Sequence, residues 1–464
     1  MSTVPHDVAG WVKLSPGAVA VEDPAGGLTY GRLAARANAV ADELRRRGVR
    51  PGEVVAIELP RSADYAAAIL GVWQAGAVAL PVDTTLPPER LRYQARQAGV
   101  AETLSVVPQA SGPEPLRLGA VRAGDRAYIL FTSGSTGRPK GVEVSHASLH
   151  NCVHAVADLL KPDSRERYAA NHTFAFDMSL VELFVPLSYG GAALVTTEAL
   201  QARPDRLVAW LEERGATVVH ATPTAWRSLM PYLTPGQREL QVVCGGEQMT
   251  ARLADELAER AGRVWNFYGP TEVTVWCTAG LVGPAETDPV PVGRPLAGYR
   301  IHLIDREGRP VPDGEQGEIH VGGQGLAMGY TGMPELTAES FTEHPEYGRL
   351  YRTGDLGRMR PDGQLQFDGR RDRQVQLGGY RVELGELESV AQDHPLVELA
   401  AAYALDEGLL LLVQGQVTGR ALRKHLATFL PSYMIPPRIE TLPSFPLTPT
   451  KKIDRAALLT WATG

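Results

Sequence analysis

The chain has 464 residues, 44% hydrophobic and 21% charged, which excludes a disordered or fibrous polymer and makes a single compact core too small a reading. Its formal net charge of -7 argues against nucleic acid or an anionic membrane as the main partner. The three cysteines, Cys152, Cys244 and Cys277, form neither a metal-ligand pattern nor a disulfide framework, no basic leader with a long apolar run opens the sequence, and no apolar stretch reaches membrane-spanning length, so a reducing, cytoplasmic setting is expected.

In chain order, Leu33, Ala37, Val40, Ala41 and Leu44 recur at helical spacing, with Gly48 placed to cap the helix. A buried strand is predicted over 54–59, a helix over 66–76 and a strand over 77–82. The run Ile129-Leu-Phe-Thr-Ser-Gly-Ser-Thr-Gly-Arg-Pro-Lys-Gly141 then passes from an apolar strand into a loop of small and hydroxyl residues. Glycines let a backbone approach an anion closely, successive N–H groups converge on it, and hydroxyls add donors. That chemistry makes Thr132, Ser133, Gly134, Ser135, Thr136, Gly137 and Lys140 a phosphate-binding candidate. It is not the Gly-Lys-Ser/Thr P-loop, because Pro139 precedes the lysine and Gly141 follows it.

Further on, helices are predicted over 147–160, 205–214 and 251–261, and strands over 192–196, 217–221, 241–244 and 263–267. This alternation predicts an α/β fold with parallel sheets covered by helices. After Pro291 the strands become short and are punctuated by Gly, Pro and Asp (301–304, 318–321, 364–367), which predicts a smaller antiparallel subdomain. A charged junction over 370–372 precedes a last unit with a helix over 383–392, a strand over 409–414 and a helix over 420–429.

Six more motifs follow the loop in order: Phe176-Asp-Met-Ser179, Gly245-Gly-Glu247, Asn266-Phe-Tyr-Gly-Pro-Thr-Glu272, Tyr351-Arg-Thr-Gly-Asp355, Gly369-Arg-Arg-Asp372 and Pro446-Leu-Thr-Pro-Thr-Lys-Lys-Ile-Asp-Arg455. Together they resemble the core motifs of adenylate-forming enzymes, in particular the amino-acid adenylation domains of nonribosomal peptide synthetases. The resemblance runs over almost the whole chain. It implies a large N-terminal domain of two helix-covered sheets plus a small β-barrel over 1–371, and a small mobile α+β lid domain over 372–464. It also implies a two-step reaction: the substrate carboxylate attacks the α-phosphorus of ATP to give an acyl-adenylate and pyrophosphate, and a pantetheine thiol then displaces AMP.

The resemblance assigns the β- and γ-phosphates of ATP to the loop 132–140 and Mg2+ to Glu272, a hard oxygen donor. Thr271 is assigned to the α-phosphate, and Asp355 to the ribose hydroxyls. It also sets Tyr268 against adenine, with Asn266, Gly245, Gly246, Glu247, Phe267 and Gly269 around it, and has Phe367 and Arg370 close the nucleotide site. Lys452 aligns with the catalytic lysine, Lys451 reads as a solvated neighbour, and Asp372 aligns with the hinge of the lid. Where relatives carry Lys-Ile-Arg-Gly this chain has Gln376-Leu-Gly-Gly379, which removes a lysine and an arginine.

Asp177 aligns with the aspartate that binds a substrate α-ammonium, which separates amino-acid activation from plain acyl activation. By the same alignment the pocket is lined by Met178, Val181, His220, Val242, Cys244, Phe267, Val275 and Trp276. Bulky Met178, Phe267 and Trp276 leave little volume, and His220 offers a polar group to a hydroxyl, so a small amino acid is expected: glycine first, then alanine or serine. No Gly-Gly-x-Ser carrier motif and no His-His-x-x-x-Asp-Gly condensation motif is found. The expected partner is therefore the phosphopantetheine of a separate acyl or peptidyl carrier protein, whether the chain is free-standing or cut from a larger synthetase. Two rival readings are a CoA ligase for a small carboxylic acid and a catalytically silent ATP-binding homologue.

Overall fold

The computed structural model describes residues 2–119, 121–134, 138–283, 288–377, 379–405, 408–448 and 453–463. The chain divides into two compact units. One comprises Met1–Asp83, Gln97–Leu130 and Gly141–Arg371; the other comprises Thr84–Arg96, Phe131–Lys140 and Asp372–Gly464. The second unit thus takes in two segments that the division at 371/372 assigned to the N-terminal domain.

The first unit opens with a helix, Val4–Leu14, that buries Val4, Val8 and Val12 along one face. The predicted stripe Leu33, Ala37, Val40, Ala41 and Leu44 is buried on the helix Tyr30–Arg46, which is capped by Thr29 and followed by Gly48 at φ +86°. Against it packs the helix Asp64–Gln74. The two backbones meet at Gly71, where a Cβ would stand 2.5 Å from Val40 Cβ and 2.6 Å from the Ala37 carbonyl oxygen. Gly71→Ala is therefore expected to destabilise the protein by about 1–3 kcal/mol through overpacking. A lower urea midpoint at unchanged m-value is the measurement that checks it.

Two sheets carry this unit. A nine-stranded sheet runs, edge to edge, Arg294–Pro295, Thr278–Leu281, Ala261–Tyr268, Gln237–Gly245, Val218–Ala221, Arg167–Ala170, Ala192–Val195, Val19–Asp23 and Gly26–Thr29. A six-stranded sheet runs Gly329–Tyr330, Lys140–Ser145, Arg126–Thr132, Val78–Pro81, Val54–Ile57 and Val100–Leu104. This is the α/β architecture that the alternation predicted. The expected helix over 251–261 stops at Ala258, because the next strand already starts at Ala261. The antiparallel subdomain is a five-stranded sheet of Tyr299–Ile304, Gly317–Gly323, Gly348–Met359 and Phe341–His344, with Leu365–Arg370 pairing Gly348–Met359.

In the first sheet, Val218–Ala221, Gln237–Gly245 and Ala261–Tyr268 are parallel neighbours. Ala221 stands opposite Cys244, and Gly245 opposite Phe267. Their C-terminal ends therefore line up, and in open α/β sheets that end is where ligands bind.

The second unit holds a hairpin, Gln374–Leu377 with Tyr380–Glu383, and a three-stranded sheet of Val397–Leu405, Gly408–Gly415 and Arg438–Leu442. Leu387, Leu411, Leu422 and Leu426 lie in its core. Buried charge is compensated here. Arg90 Nη1 reaches Glu386 Oε1 at 2.6 Å, and Glu388 is held by Arg373 and Arg455. Among the described residues no helix is long and apolar enough to cross a membrane.

Candidate active site

The aligned strand ends carry Gly245, Phe267 and Tyr268, and Thr271 and Glu272 follow just beyond. Asp177 begins the helix Met178–Ser188, all of whose residues are buried. The side chain of Asp177 is itself buried, and Thr271 Oγ1 donates a hydrogen bond to its Oδ2 at 2.6 Å. Burial pushes its carboxyl up to about 6, against the lowering effect of the Thr271 hydroxyl and the Met178 N–H. Glu272, next in the chain and fully buried, accepts the Tyr330 hydroxyl on Oε1 at 2.9 Å.

A second cluster surrounds Asp355. Tyr268 Oη donates to its Oδ2 at 2.5 Å, and Arg370 pairs with Oδ1 while its other terminal nitrogen reaches the Thr353 carbonyl at 3.1 Å. The Phe367 ring lies 6.1 Å from the Tyr268 ring. Asn266, on the strand of Tyr268, donates to the Pro291 carbonyl at 2.9 Å. Glu247 serves its own neighbourhood. Its carboxylate receives the Thr224 N–H at 3.0 Å and the Thr224 hydroxyl at 2.7 Å, at the start of the helix Pro223–Leu229.

The third cluster is apolar. Phe267 and Trp276 meet edge to face at 5.6 Å, in one core with Met178, Val181 and Val275. Thr274 and Val275 both adopt positive φ, +62° and +72°, an uncommon state for side-chain-bearing residues and worst for a β-branched one. The Thr274 hydroxyl on the Gly325 carbonyl at 2.7 Å anchors this bend, which delivers Trp276 to the strand ends. There the indole leaves no room at Gly245, where a Cβ would stand 2.5 Å from Trp276 Cη2. Met178 reaches the same turn: its Cε would lie 3.7 Å from a Cβ on Gly246.

Val242 and Cys244 pack into a separate core with Trp226, Leu253 and Leu257, on the opposite face of the sheet. Side chains alternate along a strand, so Val242 and Cys244 face away from the side that Val243 faces. Val243 belongs to the core of Phe267 and Trp276, and Gly245 abuts the Trp276 indole. His220 is buried between Val219 and Ala221, both of the other core, and neither ring nitrogen has a hydrogen-bond partner among the described residues. Burial lowers its pKa to about 4 and keeps it neutral. Gly269 lies where a Cβ would meet the Val275 carbonyl at 2.4 Å, so the backbone after Tyr268 passes tightly beneath the bend.

In the second unit, Ser133 Oγ donates to the Arg381 carbonyl at 2.7 Å, Thr132 Oγ1 is buried with no partner among the described residues, and Lys140 is buried. A Cβ on Gly134 would overlap the Arg138 carbonyl, so the loop requires glycine there. Asp372 Oδ1 accepts the Gln374 N–H at 3.1 Å. Ser135, Thr136, Gly137, Lys451 and Lys452 lie outside the described residues.

A family model described as AMP-binding enzyme matches residues 8–117 and 100–331. The chain belongs to this AMP-binding enzyme family. The dimodular nonribosomal peptide synthase of Bacillus subtilis (strain 168) is 34% identical over 466 residues, covering 93% of this chain and 20% of that protein. The chain spans 44% and 9% of two further relatives, so it matches less than half of each. Among solved structures, holo-AB3403, a four-domain nonribosomal peptide synthetase bound to AMP and glycine, is 33% identical with a TM-score of 0.74, over 98% of this chain and 36% of that one. Holo-PA1221, with adenylation and PCP domains, is 28% identical with a TM-score of 0.86, over 99% of this chain and 84% of that one. This AMP-binding enzyme thus has nonribosomal peptide synthetase adenylation domains among its homologues.

Proposed function

We propose that the enzyme activates glycine, and alanine or serine less well, as aminoacyl-AMP with release of pyrophosphate, and passes the aminoacyl group to the phosphopantetheine thiol of an acyl or peptidyl carrier protein. The observation that carries this reading is a buried carboxylate beside a filled pocket: Asp177 next to Met178, with the Trp276 indole against Gly245. A carboxylate buried this deeply is costly unless a cation meets it. An α-ammonium supplies that charge, and a CoA-ligase substrate lacking one does not. The wall of Trp276, Phe267 and Met178 then leaves space for little beyond hydrogen on the α-carbon. The glycine bound in the related AB3403 structure supports the choice of substrate, and the PCP domain of PA1221 supports the choice of partner.

In the first half-reaction the substrate carboxylate attacks the α-phosphorus and pyrophosphate leaves. Asp177 holds the ammonium, and Thr271, now donating to Asp177, is close enough in the chain to Glu272 to serve the α-phosphate once the ammonium takes over the carboxylate. Glu272 fits Mg2+, because its carboxylate oxygen is a hard donor in a buried site and Tyr330 orients it; the ion would offset phosphate charge. Asp355, held by Arg370, offers Oδ2 to the ribose once Tyr268 turns its ring to adenine. The loop 132–140 holds the outer phosphates, and Lys452 bridges substrate carboxylate and phosphate. Positioning and charge stabilisation of this kind carry most of a phosphoryl-type barrier.

Amino-acid-dependent ATP–pyrophosphate exchange tests the reading. Glycine is expected to lead, with alanine behind by the ~10–200-fold that one methyl commands in a pocket. Exchange only with an acid that has no α-amino group would overturn the role of Asp177.

A further inference from the structure

Away from these clusters, two helices of the first unit bring three metal-binding side chains together. His150 and His154 are one turn apart on the helix His146–Leu160, and Asp7 faces them from the helix Val4–Leu14. Asp7 Oδ2 lies 3.0 Å from His154 Nε2 and 3.3 Å from His150 Nε2, and all three ligand atoms lie within 4.8 Å of one another. A tetrahedral zinc ion with bonds of ~2.0–2.2 Å needs ligand atoms ~3.3 Å apart, so two edges of that figure are already set.

A simple ion pair does not account for the whole arrangement. The His154 Nε2–Asp7 hydrogen bond is well made, yet His150 Nε2 is buried and has no hydrogen bond among the described residues, although it points at the same oxygen. That nitrogen meets the carboxylate at ion-pair distance without hydrogen-bond geometry, and a metal ion between the two would bind both. The outer partners of a metal site are present as well. Tyr189 Oη lies 2.7 Å from His154 Nδ1, placed to accept the Nδ1–H and leave the Nε2 lone pair free. The Ser2 hydroxyl, 3.2 Å from Asp7 Oδ1, holds the far carboxylate oxygen.

We propose that Asp7, His150 and His154 form a zinc site, with water as the fourth ligand, that staples the N-terminal helix to the core. Two imidazoles and one carboxylate suit Zn2+ better than Mg2+ or Ca2+. Binding is not redox chemistry: Zn2+ takes the Nε2 lone pairs and the carboxylate oxygen, and any Nε2 proton goes to solvent.

The test uses untagged, chelator-treated full-length protein and Zn2+ alone, without nucleotide, followed by calorimetry, with Co2+ as a spectroscopic probe. One Zn2+ per chain is expected, with the intense visible bands of tetrahedral cobalt and a melting temperature that rises with zinc. Asp7→Asn and His154→Gln should abolish all three effects, while Tyr189→Phe should weaken affinity by about 10–100-fold, as loss of an outer partner does. The variants should keep native pyrophosphate exchange in zinc-free buffer, which shows that they fold. Native protein that binds no stoichiometric zinc, or Asp7→Asn that binds as tightly as native, would overturn the site. Failure here leaves the proposed adenylation reaction untouched.

Discussion

Asp177→Ala should lower kcat/KM for glycine in pyrophosphate exchange by about 10²–10⁴-fold, the effect of removing one partner of a buried charge pair worth ~3–5 kcal/mol. Asp177→Asn should lose nearly as much, because an amide of the same shape carries no charge for the ammonium. The pH dependence has a fixed sign. The carboxyl of the free enzyme sits at about 6, so kcat/KM for glycine should fall as pH drops through that value. Stability should move the opposite way. The folded state holds this proton more tightly than the unfolded chain, whose carboxyl titrates near 3.8. The charged form therefore costs stability above about pH 6, and the cost is gone below the unfolded value. Asp177→Asn should accordingly raise the melting temperature at neutral pH while it disables activation. A variant that lost stability and kept activity would mark Asp177 as a structural residue.

The parts of the fold that were legible in the sequence are those whose burial pattern has a period. The stripe on Tyr30–Arg46 shows one face every turn, and Val54–Ile57 is a short unbroken apolar run, fully buried. Met178–Ser188 escapes prediction, because a helix buried on all sides shows no polar face. Val4–Leu14 escapes it because Pro5 and Gly10 disguise the helix, although Pro at the first turn is compatible with one. The hairpin Val19–Asp23 with Gly26–Thr29 offers too few residues for either period to register. Of the candidate site, Asp177, Phe267 and Trp276 were picked out by motif, and the structure buries all three. That Val242 and Cys244 pack in a different core from Val243 could not be read in the sequence, since only the packing on each side of the sheet distinguishes them. The zinc candidates were equally invisible: Asp7 lies far from His150 in the chain, and only the packing of two helices joins them.

Trp276→Ala should turn a selective enzyme into a permissive one. The indole is held from three sides: the strained bend at Thr274 and Val275 aims it, the Phe267 edge steadies it, and Gly245 leaves it the space. Removing it takes away the wall that excludes a side chain, so the kcat/KM ratio of glycine to alanine should shrink by about 10–200-fold. The same change leaves a cavity and should cost about 3–5 kcal/mol of stability, so the ratio, which cancels loss of folded enzyme, is the quantity to read. Gly245→Ala approaches the same contact from the other side. Its Cβ would stand 2.5 Å from Trp276 Cη2 and 2.8 Å from the Phe267 carbonyl oxygen, so this variant alone should lose activation of every amino acid. Combined with Trp276→Ala, the clash with the ring disappears while the clash with the backbone oxygen remains. The double variant should thus recover part of the loss, a coupling of about 0.5–3 kcal/mol. Additive effects, or a glycine-to-alanine ratio unmoved by Trp276→Ala, would place the substrate α-carbon somewhere other than against this wall.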